Sequence, residues 1–379
     1  MMPLGELYVL AAGRLPQGRF GGALAGEGAV RLGVAAVKEL MSDRSLPRPG
    51  RIYWGMARSH TQGMNPARTI AIKAELGIEC LGTTLNMACA SSLEAVFLAG
   101  QALSLGFPFP ILAGGSEAMS DTPHLAPALR WGLGFGHAQL PDVMHQDGLR
   151  CPLTGLLMGE TIERLVAKRG ITRTEADAYA LESHQRAARA DFSAELLIHP
   201  KLNHDECIRP KDTLATLAAL PPVFEPTGQV TAGNASALSD GAAAVLIGRQ
   251  DQALGHRPLA RILGWSEVGL NPMDMGEGPV LAVRALLAET SRSVEDIALW
   301  ELNEAFGAQV VCCARQLGLP MDRLNAVGGG ISLGHPIGAS GARILVTLIH
   351  QLRARGGGLG IATLGIGGGI GQALLLEVF

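Results

Sequence analysis

The sequence contains few aromatic and few charged residues. Phe, Trp and Tyr together make up 4% of the 379 residues, charged residues make up 17%, and the formal net charge is −3. The scarcity of aromatic rings argues against a stacking surface for single-stranded nucleic acid, and the chain lacks the basic excess of a nucleic-acid-binding protein. Hydrophobic residues reach 47%, which excludes a disordered chain. We therefore expect a folded protein that does not bind nucleic acid.

Closely spaced cysteine pairs and a targeting leader are also missing. The six cysteines are Cys80, Cys89, Cys151, Cys207, Cys312 and Cys313. None belongs to a C-x-x-C pair, so the sequence predicts no zinc site, no other metal and no thioredoxin-type redox site. No charged and then apolar leader precedes the first strand, which predicts a reducing, cytoplasmic location.

A membrane span is not predicted either. The most apolar stretch, residues 356–379, is interrupted by Gly367, Gly368 and Gly369. This glycine run would break a helix exposed to lipid. The stretch therefore predicts two buried strands joined by a turn.

Short β-rich runs alternate with longer helical runs along the chain, and the length allows more than one core. Predicted strands lie at 7–11, 51–54, 81–85, 109–113, 242–247, 298–301 and 361–364. Predicted helices lie at 29–41, 91–103, 172–190, 279–291 and 341–352. Buried apolar strands that alternate with helices indicate an α/β fold.

A weak internal repeat suggests two similar halves. Residues 111–115 resemble 362–364 followed by the glycine run, and 243–247 resemble the closing strand 373–378. The second pair of strands almost abuts, whereas a long segment separates the first pair. We predict an N-terminal half (1–115 plus 235–257), an inserted domain (116–234) and a C-terminal half (258–379).

The first candidate for chemistry is Cys89, which lies between an apolar strand and a predicted helix. A thiol at a helix N-terminus is favoured as a thiolate, the nucleophilic form. The alternative is a buried, inert cysteine, which is the usual fate of a free thiol.

Two further candidates are His335 and Asn303. His335 lies in a glycine-rich loop before a helix and is suited to activate a thiol near neutral pH; the alternative is a structural histidine. Asn303 ends an apolar strand, and a helix is predicted to begin at Glu304. Asn303 could cap that helix, or its amide could orient a water or the imidazole.

The glycine run after Gly365 is the last candidate. Its backbone N–H groups could bind a developing oxyanion; the alternative is a tight turn between strands. No G-x-G-x-x-G pattern fits the run, so dinucleotide binding is rejected.

Together these motifs resemble the thiolase family over nearly the whole chain. The matching stretches are residues 13–22, 62–68, 113–120, 230–236, 240–243, 303–306 and 334–336. The resemblance implies two βαβαβαββ halves in a five-layered αβαβα core, with an inserted loop domain. It also implies a homodimer that can pair into a tetramer. Residues 123–143 are long enough to carry the family's tetramerisation loop, although their sequence diverges from it.

The implied activity is acyl transfer between CoA thioesters, either thiolysis of a 3-ketoacyl-CoA or Claisen condensation of acyl-CoA. Cys89 would carry the acyl group, His335 would be its base, and Asn303 would position a water. The N–H groups of Cys89 and Gly367 would form an oxyanion hole. CoA is implied as a substrate, with no permanently bound cofactor. By position, the CoA-binding residues would be Ser236, Arg209, Phe224, Met158, Ala235 and Phe306.

One position departs from the family. The block that usually reads C-x-G-G-G has Gly365 in place of the cysteine, the family's second acid/base. Another group or a water could replace it, and His60 is a weak candidate. Otherwise the chain could perform decarboxylative condensation, transfer the acyl group to another nucleophile, or hydrolyse the thioester. A low-turnover protein that binds CoA esters is the third alternative.

Overall fold

Ten strands form one sheet in the computed structural model, which describes residues 6–379. The strands are β1 (Leu7–Arg14), β2 (Gly18–Arg19), β3 (Arg51–Gly55), β4 (Leu81–Leu85), β5 (Ile111–Ala118), β6 (Ser239–Arg249), β7 (Ala260–Gly269), β8 (Leu299–Leu302), β9 (Gly358–Ile366) and β10 (Ile370–Val378). The helices are α1 (Ala29–Leu40), α2 (Pro66–Lys73), α3 (Ser91–Ser104), α4 (Met158–Arg169), α5 (Arg173–Arg189), α6 (Leu214–Ala218), α7 (Gly278–Thr290), α8 (Gly307–Leu317) and α9 (Ser340–Ala354).

The strand order shows two related halves. It reads β4-β3-β5-β6-β1-β7-β10-β9-β8, with β2 attached to β6, and the antiparallel pair β1–β7 joins the halves. Apart from β2, the first half follows the order βαβαβαββ. The second half follows the same order, except that its third strand is reduced to one bridge between Trp300 and Leu324.

Apolar packing divides the molecule into five layers. The central cluster contains Phe97 of α3, Leu345 of α9, and strand residues of both halves such as Val245 and Leu374. A second cluster packs α1 and α2 on the outer face of the first half. A third packs α7 and α8 on the outer face of the second half. Both halves of the sheet are therefore covered on two faces, which explains their apolar strands. The predicted α/β fold, with two similar halves in a five-layered core, is confirmed.

A long segment connects β5 to β6 and carries α4, α5 and α6. Arg14 of β1 is fully buried and binds this segment: its Nε donates to Glu195 Oε1 at 2.6 Å, and its Nη1 donates to Asp205 Oδ1 at 2.7 Å. The domain limits given above remain a prediction.

Several predicted element boundaries differ from the structure. The strand predicted at 109–113 begins at Ile111, the helix predicted from Glu304 begins at Gly307, and β7, α2 and α4 had not been predicted. The two C-terminal strands are confirmed as the antiparallel hairpin β9–β10. Among residues 6–379, no helix combines the length and apolar composition needed to cross a membrane.

Candidate active site

Cys89 lies in a tight turn between β4 and α3. The residues Ala88–Ala90 form one turn of 3₁₀ helix, and Ala88 has a φ of 46°, in the left-handed region that non-glycine residues rarely adopt. Ser91 holds this turn, because its Oγ accepts the N–H of Met87 at 2.9 Å and donates to Ala88 O at 2.7 Å. The strained turn leaves Cys89 half-buried at the start of α3.

The close crossing of α3 and α9 brings the His335 loop to this turn. A Cβ added at Gly341 would lie 2.5 Å from the backbone N of Leu93 in α3, so only glycine fits there. Ser92 Oγ also accepts the N–H of Ala342 at 2.8 Å. The small residues Ser92 and Gly341 are therefore required where α3 and α9 touch.

His335 is buried, and its hydrogen bonds define which ring nitrogen carries the proton. Nδ1 lies 2.5 Å from Ser340 Oγ, and that hydroxyl donates its single proton to Pro336 O at 2.9 Å. Nδ1 is therefore assigned as the donor, which leaves Nε2 unprotonated. Burial, and then the cations Arg343 and Arg58, together lower the pKa of His335 to about 3. The imidazole is thus a neutral base at physiological pH.

Asn303 is almost fully buried beside this imidazole. Its Nδ2 lies 3.5 Å from His335 Nε2, and its backbone N–H donates to Thr363 O at 2.9 Å. Asn303 Oδ1 is buried without a hydrogen-bond partner. The capping interpretation of Asn303 is wrong, because α8 begins only at Gly307.

The delayed start of α8 is explained by Glu304, which is fully buried and points away from the helix. Its carboxylate accepts hydrogen bonds from Tyr179 Oη at 2.7 Å, Ser183 Oγ at 2.7 Å and the N–H of Ile331 at 3.1 Å. Glu304 therefore ties the Asn303 segment both to α5 and to the glycine-rich loop of His335.

The backbone N–H groups of Gly367 and of Cys89 itself interact with the Cys89 thiol. Burial raises the pKa of this thiol to about 11, while the Arg58 cation and then these two N–H groups oppose the rise. Gly367 opens the turn between β9 and β10, in which Gly368 has a φ of 93°. The structure thus brings together the four predicted catalytic residues: Cys89, His335, Asn303 and Gly367.

Four of the predicted CoA-binding residues share one apolar cluster at the start of α4 and α8. They are Met158, Phe224, Ala235 and Phe306. A Cβ added at Gly367 would lie 3.1 Å from Met158 Sδ, so this cluster reaches the glycine turn. Ala235 and Phe306 are joined by an antiparallel bridge.

The other two lie on the same segment or near it. Ser236 is half-buried, and its N–H donates to Ala305 O at 2.9 Å. Arg209 is further along the surface, where its Nη2 donates to Gly233 O at 3.0 Å and its Nε to Asp212 at 2.8 Å. No cluster of three or more His, Cys, Asp or Glu side chains in residues 6–379 is arranged to hold a metal ion.

Position 365 has neither a side chain nor room for one. A Cβ added at Gly365 would lie 2.8 Å from Met275 O and 3.1 Å from Gln309 Nε2. The His60 ring faces an exposed acid instead: its Nε2 lies 3.7 Å from Asp147 Oδ2, and its side chain is 38% exposed. The weak candidacy of His60 gains no support.

Two nearby residues were missed by sequence reasoning. Cys151 is buried, and N–H groups of Thr154, Leu153 and Gly368 together with the Thr154 hydroxyl lower its pKa despite its burial. Arg58 is buried close enough to lower the pKa of both Cys89 and His335. Neither residue belongs to a recognisable sequence motif. A lone cysteine or a lone arginine in a loop usually has only a structural role.

Comparison with known proteins gives a consistent result over the whole chain. The domain "Thiolase, N-terminal domain" matches residues 7–251, and "Thiolase, C-terminal domain" matches residues 256–378. The acetyl-CoA acetyltransferase of Chromobacterium violaceum is 44% identical over 389 residues, covering 98% of this chain and 99% of the relative. That of Escherichia coli is 41% identical over 386 residues, covering 97% and 98%.

Solved structures agree with these sequence relatives. Human mitochondrial 3-ketoacyl-CoA thiolase in complex with CoA superposes with a TM-score of 0.96 at 36% identity, covering 99% of this chain and 98% of that one. The acetyl-CoA acetyltransferase of Bacillus anthracis superposes with a TM-score of 0.95 at 37% identity, covering 100% of both. The chain belongs to the thiolase family, and its reaction is thiolase-type acyl transfer between CoA thioesters.

Proposed function

We propose that acyl transfer proceeds through a covalent thioester on Cys89, with His335 as the general base. The observation that carries this proposal is that the turn of Cys89 and the loop of His335 meet where α3 and α9 cross, with His335 Nε2 unprotonated and two backbone N–H groups facing the thiol. Sγ attacks the thioester carbonyl while Nε2 takes the thiol proton. The bond from carbon to the CoA sulfur then breaks, and the proton passes from Nε2 to the departing thiolate.

The N–H groups of Cys89 and Gly367 stabilise the oxyanion of this acylation step. Preorganised donors of this kind are among the largest contributions to catalysis. Asn303 acts next to them: its unpartnered Oδ1 accepts a hydrogen bond from a water. That water and the imidazole form a second site for negative charge while Nε2 holds the proton taken from the thiol.

The second half of the reaction forms or breaks a carbon–carbon bond. We propose that the acyl-enzyme reacts with free CoA in thiolysis or with an acyl-CoA carbanion in condensation, with an acid/base that does not lie at position 365. A second candidate function is acyl transfer without removal of an α-proton: decarboxylative condensation, transfer to another nucleophile, or hydrolysis. The closed space beside Gly365 favours it. A low-turnover binding role is disfavoured, because the acylation residues are assembled.

CoA is proposed to lie along the segment between β5 and β6. Met158 and Phe306 border the acyl group and the end of the pantetheine, together with Ala235 and Ser236. Phe224 and Arg209 lie toward the nucleotide. The half-buried positions of Ser236 and Phe224 support this order, as does the partly exposed guanidinium of Arg209. CoA is bound as a substrate, and we propose no resident cofactor.

We propose a homo-oligomer, a dimer or a tetramer, in the cytoplasm. Strand β4 is an edge strand with only β3 as a neighbour, and its Leu81 is 51% exposed. An unpaired edge is suited to pair with a second copy. The six cysteines are all free thiols, which suits a reducing compartment.

The test is thiolysis of acetoacetyl-CoA by free CoA, followed as acetyl-CoA formed, with Cys89→Ala as the control. Cys89-dependent turnover supports the thiolase proposal. If acetyl-CoA acylates Cys89, as read by intact mass, but no thiolysis follows, the second candidate function replaces it. An acyl adduct that persists on Cys89→Ala would contradict both.

A further inference from the structure

Arg58 is a buried cation in the loop after β3, and the acylation chemistry leaves it without a role. The residue is 5% exposed, and its Nε and Nη1 atoms are buried without hydrogen-bond partners. Because a buried charge is stable only when it is paired and hydrogen-bonded, these two N–H groups are suited to receive an anion.

Glu117 is the acid paired with Arg58, but it does not satisfy the guanidinium. The distance from Arg58 Nη1 to Glu117 Oε2 is 3.8 Å, which is too long for a hydrogen bond. The two carboxylate oxygens instead accept the N–H groups of Ala57, Arg58 and Gly338 at 3.0, 3.1 and 3.0 Å. Burial raises the pKa of Glu117 to about 7, so at neutral pH it offsets the arginine only in part.

The field of Arg58 reaches the proposed nucleophile. Among the groups that lower the pKa of Cys89, Arg58 has the largest effect, ahead of the N–H of Gly367. Arg58 also lowers the pKa of His335. Such an effect on both proposed reacting groups is consistent with a guanidinium that lies near both of them.

The packing around Arg58 supports this placement. A Cβ added at Gly148 would lie 2.4 Å from Arg58 Cζ, so the guanidinium lies directly on that backbone. Ala57 and Leu149, the chain neighbours of Arg58 and Gly148, pack with Cys89 in one apolar cluster. The cation therefore borders an otherwise apolar wall next to Cys89.

We propose that Arg58 binds a carboxylate at the far end of the acyl group, so that the enzyme acts on CoA thioesters of short dicarboxylic acids. The planar guanidinium matches a carboxylate with two parallel hydrogen bonds. This inference rests on the proposed acylation of Cys89. The bonds that form and break stay the same, because Arg58 pairs with the substrate without covalent chemistry.

The experiment compares succinyl-CoA with butyryl-CoA, two thioesters of similar length that differ in the terminal charge. The rate constant for acylation of Cys89 is measured by intact mass in single turnovers. In the wild type we expect the second-order rate constant for acylation by succinyl-CoA to exceed that for butyryl-CoA by about 100-fold or more, because bound butyryl-CoA leaves the buried guanidinium unpaired. Arg58→Met abolishes this preference, and Arg58→Lys keeps part of it.

Two results would overturn the inference. Equal use of both thioesters by the wild type is one. The other is an equal loss for both thioesters in Arg58→Met, which assigns Arg58 to the Cys89 thiol rather than to the substrate. Lys38→Met, which removes an exposed cation of α1, is the matched control.

Melting temperatures separate binding from a structural role. Arg58→Met should lower the melting temperature only slightly, because Glu117 keeps its three backbone N–H donors and is protonated more readily once the cation is gone. A large drop would make Arg58 a structural partner of Glu117 and would count against the inference. If no thioester acylates wild-type Cys89, the proposed function fails as well; if acetyl-CoA acylates it without preference for the carboxylate, only this inference fails.

Discussion

The charge states of Cys89 and His335 decide how the thiol is activated. Burial raises the pKa of Cys89 to about 11 and lowers the pKa of His335 to about 3. Both groups are therefore neutral near pH 7, and a resting thiolate–imidazolium pair is disfavoured. Proton transfer to His335 Nε2 must accompany the attack on the substrate carbonyl.

A neutral pair predicts a steep pH dependence for alkylation of Cys89. The thiolate fraction of a thiol whose pKa is about 11 rises about tenfold per pH unit between about pH 6 and about pH 9. We expect the rate of iodoacetamide labelling at Cys89, measured on the isolated peptide by mass spectrometry, to follow that slope. A plateau that begins below about pH 7 would instead indicate a preformed ion pair.

Sequence motifs located the proposed reacting residues but not the contacts that set their protonation states. Cys89, His335 and Asn303 were predicted from the order of the motifs. Ser340 fixes the imidazole tautomer because its own hydroxyl proton is donated to Pro336 O. No sequence pattern reveals this contact. Arg58 was missed because an arginine in a polar loop usually faces solvent, and only the fold shows its burial.

At the scale of elements, the crossing of α3 and α9 sets the distance between the two reacting residues. Cys89 precedes α3, and His335 precedes α9. The crossing is close because Gly341 has no side chain to meet the backbone of Leu93. Any group inserted there separates the helices and with them the thiol and the imidazole.

We therefore expect Gly341→Ala to impair acylation more than folding. The added methyl group meets backbone atoms at 2.5 Å, which should cost about 1–3 kcal/mol of stability. A misplacement of about 1 Å can lower the acylation rate about 100-fold. The measurements are single-turnover acylation by acetyl-CoA and denaturant unfolding.

Gly269→Ala is the control for this variant, because a Cβ there meets no atom within 4 Å. It should acylate at the wild-type rate. If Gly341→Ala also acylates at that rate, the helix crossing does not determine the geometry of the site.

The elements themselves were predicted unevenly, for physical reasons. Long apolar helices such as α3 and α9 matched their predicted limits to within two residues. The start of α8 was wrong because Asn303 is a good capping residue in isolation, whereas Glu304 is held in a buried network that delays the helix. Helix α4 was missed although its buried Ile162, Leu165 and Val166 recur at helical spacing.

At the scale of the whole molecule, one exposed loop stands out from the covered sheet. Large apolar side chains between β5 and α4 are exposed at Leu129 (57%), Trp131 (91%), Leu133 (55%), Phe135 (113%) and Leu140 (64%). Exposed apolar groups concentrated in this way mark interaction surfaces. The sequence predicted a role of this loop in assembly only through the family resemblance, and the residues of the loop diverge from the family pattern. The exposure of its apolar side chains is an independent reason to assign it that role.

We expect the double variant Trp131→Ser with Phe135→Ser to form a smaller assembly than the wild type, because it removes the two most exposed aromatic rings of the loop. Mass by light scattering should fall from that of a tetramer to that of a dimer, since the β4 edge is left intact for pairing.

Leu105→Ser, which alters a 74% exposed apolar residue after α3, should leave the mass unchanged. Acylation of Cys89 should persist in both variants, because Cys89, His335, Asn303 and Gly367 meet within a single chain. A wild-type mass for the double variant would remove this loop from the interface and leave the β4 edge as the proposed contact between copies.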